Sequence, residues 1–136
     1  MLDCLILGDS LAVGVGQLRP ECTTHAKSGI NSYDYVNRFV LHTNGDTNAN
    51  TVIISLGSND TKRIKTFDEL VALREQVKGS RVYWILPNIK DNKREEVQRV
   101  ADLFKDYVID ARKYDVSPDK VHPTYRGYKH IAEDTR

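Results

Sequence analysis

Four short stretches of the chain carry residue types that can do chemistry together. The first reads Gly8-Asp9-Ser10-Leu11-Ala12-Val13-Gly14. A serine that follows a strand and opens a helix has free backbone N–H groups beside it. Those donors and the helix dipole favour an oxyanion forming next to its hydroxyl. The second stretch, Lys27-Ser28-Gly29-Ile30-Asn31, offers a backbone N–H at Gly29 that no side chain screens. The third, Leu56-Gly57-Ser58-Asn59-Asp60, offers the Asn59 amide, a donor able to hold a developing oxyanion. The last runs from Asp115 to Thr124 and sets Asp119 three residues before His122. A carboxylate at that spacing can accept from one imidazole nitrogen and leave the other free to take a proton from a hydroxyl. Each stretch also has a plainer reading: an N-cap at Asp9 or Ser10, a turn glycine, a Gly/Asn/Asp turn, and a capping aspartate beside a surface histidine. Together they supply a nucleophile, a base with its orienting carboxylate, and oxyanion donors, which are the parts of a nucleophilic acyl-transfer site.

Such a site requires elements that bring four loops to one edge. Short apolar runs at Cys4–Leu7, Thr51–Leu56, Arg81–Leu86 and Tyr107–Ile109, with a weaker one from Glu21 to Ala26, read as strands buried on both faces. Between them, Ser32 to His42, Thr66 to Val77, Asn92 to Phe104 and Tyr125 onward carry apolar residues at helical spacing. Thr66 and Glu69 have the spacing of a capping box. Repeated strand–helix alternation predicts right-handed βαβ units and a parallel sheet with helices on both faces. In such sheets functional groups collect at the carboxyl ends of the strands, so the loops that begin at Gly8, Lys27, Gly57, Pro87 and Asp110 matter most.

A length of 136 residues predicts one domain over 1–136. Twenty Lys plus Arg against 19 Asp plus Glu leave a net charge of +1, which argues against a whole-protein attraction to nucleic acid or an anionic membrane. No apolar run is long enough for a membrane span. The first residues lack a basic region and a long apolar stretch, so no signal peptide is expected and the cytoplasm is the default location. Cys4 and Cys22 fall on strands that should be neighbours. A disulfide there is conceivable, and buried free thiols are the expectation. They lack CxxC spacing, so no structural metal site is expected. No GxSxG elbow is present, and Gly14-Val15-Gly16 does not extend to a nucleotide-binding pattern.

The four blocks together resemble the SGNH hydrolase family, also called GDSL-type esterases. Its first block is similar to Gly8-Asp9-Ser10-Leu11 with Gly14, its second-block glycine to Gly29, its third to Gly57-Ser58-Asn59-Asp60, and its last to Asp119-Lys120-Val121-His122 with Pro123. The resemblance runs from residue 4 to about residue 132. It implies a flavodoxin-like three-layer α/β/α sandwich with strand order 2-1-3-4-5. It also implies Ser10 as nucleophile, His122 as general base, Asp119 as its orienting partner, and the Ser10 N–H, Gly29 N–H and Asn59 amide as oxyanion donors. No metal or cofactor is implied.

His25, His42 and His130 read as packing or solvated residues, Asp9 and Asp60 as loop supports, and Tyr83 and Trp84 as core. Asn31, Tyr33, Asn88 and Thr124 flank the site and are candidate substrate contacts. The connections are short, leaving little chain for a lid or a deep acyl tunnel. An open site suits a small acyl group, such as acetyl, on a large polar alcohol such as a carbohydrate. A thioesterase or lysophospholipase of the same family, and a catalytically idle carbohydrate-binding module, are the alternatives.

Overall fold

The computed structural model describes residues 2–40, 47–89 and 91–136. Five strands, β1 (Leu2–Gly8), β2 (Thr23–Ala26), β3 (Asn48–Ser55), β4 (Lys78–Leu86) and β5 (Tyr107–Asp110), form one parallel sheet in the order β2-β1-β3-β4-β5. The expected strand order is the observed one. Residues alternate between the two faces of a strand, and both faces here are apolar. Leu5, Leu7, Val52, Ile54, Val82 and Trp84 join one core, while Ile6, Ile53, Tyr83 and Ile85 join the other.

The first core is closed by α2 (Ser32–Asp34), which continues into a wide π-helical turn at Tyr35–Phe39, and by α3 (Thr66–Gln76) and α4 (Lys93–Phe104). The second is closed by α1 (Ser10–Gln17) and α5 (Tyr125–Asp134). The layers are therefore helix, sheet, helix. The regular helix expected from Ser32 is broken into a short α-turn and a π-turn. The wider turn keeps Tyr35, Val36 and Phe39 on the core side together. The end of that expected helix, with His42, lies outside the described residues.

Two local expectations give way to stronger interactions. The capping box at Thr66 does not form: the Thr66 hydroxyl donates to Asp60 Oδ2 at 2.7 Å, and Lys65 takes the N-cap position without a side-chain cap. Thr66 stands inside the helix as its first residue rather than before it, so its hydroxyl has no cap to make and donates to the carboxylate instead. The free-thiol expectation is also corrected. Cys4 and Cys22 form a disulfide, because parallel pairing of β1 with β2 brings their Cα atoms to 4.8 Å.

Buried charge organises two corners of the fold. Asp106, after α4, accepts from Arg74 Nε at 2.7 Å, Arg74 Nη2 at 3.0 Å and Trp84 Nε1 at 2.9 Å, and so ties α3, β4 and the turn into β5 together. At the end of β1, Gly8 has φ of 136° and lies so close to β3 that a Cβ would fall on the Ser55 carbonyl oxygen. Asp9 follows it, fully buried. Its backbone N–H donates to Ser55 O at 2.9 Å, while Oδ1 accepts from Leu11 N at 3.1 Å and Ser55 Oγ at 2.9 Å. Among the described residues its Oδ2 has no hydrogen-bond partner, and burial pushes the Asp9 carboxyl up to about 7.

Removing the Asp106 carboxylate leaves a largely buried guanidinium and the Trp84 indole without their shared acceptor, so Asp106→Ala is expected to cost about 2–4 kcal/mol, read by urea denaturation through the fluorescence of Trp84. Breaking the disulfide by Cys4→Ala with Cys22→Ala is expected to cost about 2–4 kcal/mol in the same assay. Asp9 gives a pH signature. The folded state holds its proton more tightly than the unfolded chain, so the stability it contributes is complete below the ordinary value of 3.8 and is lost as pH rises to about 7. Asp9→Asn should flatten the decline of stability across that window, measured by urea titrations at stepped pH; an unchanged slope would show that Asp9 ionises as freely as an exposed carboxylate.

Candidate active site

Ser10 is the first residue of α1, one residue beyond the strand, and Asp9 is the N-cap that sets this geometry. The half-buried Ser10 Oγ lies 2.8 Å from His122 Nε2. His122 belongs to the loop from Asp115 to Thr124, which folds back on itself through an antiparallel bridge between Val116 and Pro123 and a bond from Ser117 N to His122 O at 2.8 Å. Lys120 turns the chain at φ 61°. Within this clasp Asp119 Oδ1 accepts from His122 N and Val121 N, both at 2.9 Å, and from Ser117 Oγ at 2.8 Å. Oδ2 is left facing His122 Nδ1 at 2.7 Å. The backbone N–H groups of His122 and Val121, then the imidazole and the Ser117 hydroxyl, hold the Asp119 carboxyl well below the usual carboxylate range.

The charged Asp119 keeps the imidazole proton on Nδ1, so Nε2 is an acceptor aimed at the Ser10 hydroxyl. That relay can withdraw the hydroxyl proton as Oγ attacks an electrophilic carbon.

The other two loops reach the same edge of the sheet. Lys27 N donates to Gly8 O at 2.9 Å and so anchors the second loop beside the first. Gly29 is exposed at φ 82°, with open space where a side chain would stand. Asn59 is exposed too, and its Nδ2 donates to Ile30 O at 3.0 Å. This bond uses one amide hydrogen, leaves the second, and joins the Asn59 loop to the Gly29 loop. Asp60 repeats the link underneath: its Oδ1 accepts from Ser32 N at 2.7 Å.

The flanking residues divide. Asn31 caps α2 by accepting from Asp34 N at 2.8 Å, and Thr124 caps α5 by accepting from Gly127 N at 3.2 Å, so both side chains serve the backbone. Tyr33 is exposed, and Asn88 borders a hollow with Ile89, Val116 and Val121. His25 sits in β2 and His130 is exposed on α5. Sequence reasoning missed Ser117, which buttresses Asp119, and Ser55, which buttresses Asp9. Ser117 was findable: a serine two residues before an aspartate across a proline is a local turn signal. Ser55 was not, because its partner lies 46 residues away. Among the described residues, the grouping of Cys4, Glu21 and Cys22 has both sulfurs in the disulfide and the carboxylate on Arg19 at 2.6 Å, which leaves no thiolate for a metal.

No protein-family model and no curated protein matches the sequence. Solved structures do match the fold. A Bacillus subtilis protein superposes with a TM-score of 0.72 at 17% identity over 98% of this chain, and the chain spans 54% of that protein. A member of the lipolytic protein G-D-S-L family from Veillonella parvula gives 0.63 at 17% identity, covering 98% of this chain and 95% of that one. A carbohydrate acetylesterase from Sinorhizobium meliloti gives 0.62 at 16% identity, covering 98% of both. The chain therefore has the α/β fold of the GDSL, or SGNH, hydrolases, as its four sequence blocks led one to expect.

Proposed function

We propose that the chain is a serine esterase that removes a small acyl group, acetyl foremost, from a carbohydrate through an acyl-enzyme. The observation that carries this reading is the continuous relay from Ser10 Oγ through His122 to Asp119. Ser10 Oγ attacks the ester carbonyl while His122 Nε2 takes its proton. The resulting oxyanion is held by the Ser10 and Gly29 N–H groups and the remaining Asn59 amide hydrogen. His122 then returns the proton to the departing alcohol. A water attacks the acyl-enzyme with the same base, which frees the acid and restores Ser10.

Openness supports a small acyl group. One residue joins β1 to α1 and five join β2 to α2, so neither connection can form a lid. The kinship of fold with a carbohydrate acetylesterase supports the sugar. A lysophospholipase or thioesterase has one observation in its favour, the hollow beside Asp119 that Ile89, Val116 and Val121 line. Among the described residues no helix is long and apolar enough to cross a membrane. The disulfide supports an oxidising compartment over the cytoplasm, where thiols are kept reduced.

Release of acetate from acetylated sugars, set against p-nitrophenyl esters of rising chain length, tests the substrate; preference for acyl chains of about eight carbons or more would transfer the reading to the lysophospholipase class. In the same assay Ser10→Ala and His122→Ala are each expected to lose about four or more orders of magnitude in kcat. Asn59→Ala should lose roughly 10²–10³-fold, the size of one oxyanion donor. Near-normal turnover by His122→Ala would refute its role as base, and failure of a fluorophosphonate to label Ser10 would favour an idle binding module.

A further inference from the structure

Beside the oxyanion loop runs a groove of about 370 Å³ between α2 and the β3–α3 connection, lined by Asn31, Tyr33, Arg63, Ile64, Lys65 and Glu69. Its position is tied to the candidate active site, because Ile30, whose carbonyl holds the Asn59 amide, immediately precedes Asn31. Its wall is held in place. Asp60 grips both sides, accepting from Ser32 N at the start of α2 and from Thr66 Oγ1 at the start of α3, each at 2.7 Å. Between those grips, the buried Lys93 donates its ammonium to Ile64 O at 2.6 Å, and Ile64 N closes a turn on Thr61 O at 3.1 Å. The flanking Lys62, Arg63 and Lys65 are all exposed, and none joins an ion pair among the described residues. The acidic lining residue, Glu69, is partly engaged already, since its Oε2 accepts from Asn37 Nδ2 at 2.7 Å. Tyr33, on α2, lines the other side and is 48% exposed, an aromatic ring of the kind that packs against a sugar.

A solvated cationic turn usually floats. This one is fixed by buried charges, leads away from the oxyanion donors and faces an exposed aromatic ring. With its backbone already held at Ile64, the turn has less backbone freedom to lose when an anion binds than a mobile one does. We infer that the groove is a subsite for the alcohol half of the substrate, and that this alcohol is an anionic glycan bearing carboxylate groups, which Arg63 and Lys65 bind while Tyr33 stacks on a sugar ring. The inference rests on the esterase reading and adds the charge of the substrate to it. Arg63 can take a carboxylate in two parallel hydrogen bonds. Lys62 adds to the field at the rim.

The test compares acetate release by the wild-type protein from an O-acetylated polygalacturonate and from an O-acetylated xylan of equal acetyl content. The acidic polymer is expected to give at least about a tenfold higher kcat/KM, with the difference mainly in KM. Salt near 1 M, where the Debye length is about 3 Å, should remove most of that advantage. Arg63→Glu with Lys65→Glu should abolish or reverse the preference, and Tyr33→Ala should raise KM for both polymers. Equal kcat/KM on the two polymers, unmoved by salt, would overturn the inference and leave the esterase reading standing. Acetate released from neither polymer nor from p-nitrophenyl acetate would overturn the esterase reading and this inference with it.

Discussion

The junction between β1 and β3 is the constraint on which the rest depends. Gly8 lets the two strands close to a distance that no side chain would allow, and Asp9 then turns inward and bonds to Ser55 on the neighbouring strand. Because Asp9 is both the inter-strand tie and the N-cap of α1, the position of Ser10 follows from the centre of the sheet rather than from a surface loop. The cost is a buried carboxyl with an unpartnered oxygen, which settles into its neutral form more readily than an exposed one. A serine placed this way is held in one position by the sheet itself, which is what the proposed nucleophile requires.

Aspartates perform the same task three times along one edge, with different consequences. Asp9 is buried and orders a strand end. Asp60 is nearly buried and clamps two helix starts across a cleft. Asp119 is exposed and accepts four donors from its own turn, which keeps it charged in the presence of water. Burial and donor count separate a structural carboxyl from an electrostatic one, although the residue type is the same. The imidazole beside Asp119 is thereby oriented by a turn that folds largely from local interactions.

The architecture was legible because its signals are local and repeated. Runs such as Val52-Ile53-Ile54, apolar toward both faces, announce a parallel sheet, and each ends where a loop of small or polar residues begins. β4 begins earlier than its apolar run suggests, because Lys78 and Gly79 pair with Asn48 and Ala49 of β3 and carry no hydrophobic pattern of their own. The capping box at Thr66 was misleading for the reason that Ser55 was invisible: the deciding partner is remote in sequence. At the site, the Asp119–His122 spacing announced itself, whereas the contact from Ser10 to His122 spans 112 residues and follows only once strand order is known. Asn31 and Thr124 were read by proximity, and what the sequence did not announce is that their side-chain oxygens also cap α2 and α5.

The disulfide has a further meaning for the first of these elements. Cys4 and Cys22 are 18 residues apart, and Ser10 lies between them, so β1, α1 and the beginning of the edge strand form one covalent ring. An edge strand is where a sheet frays first, and β2 is both short and at the edge. With the ring closed, the start of β2 stays tethered to β1 even when the edge strand loosens. The bridge sits toward the amino end of the strands and Ser10 at the carboxyl end. The chain thus braces the segment that carries Ser10 from the opposite end of the strands, away from the edge where the four loops meet.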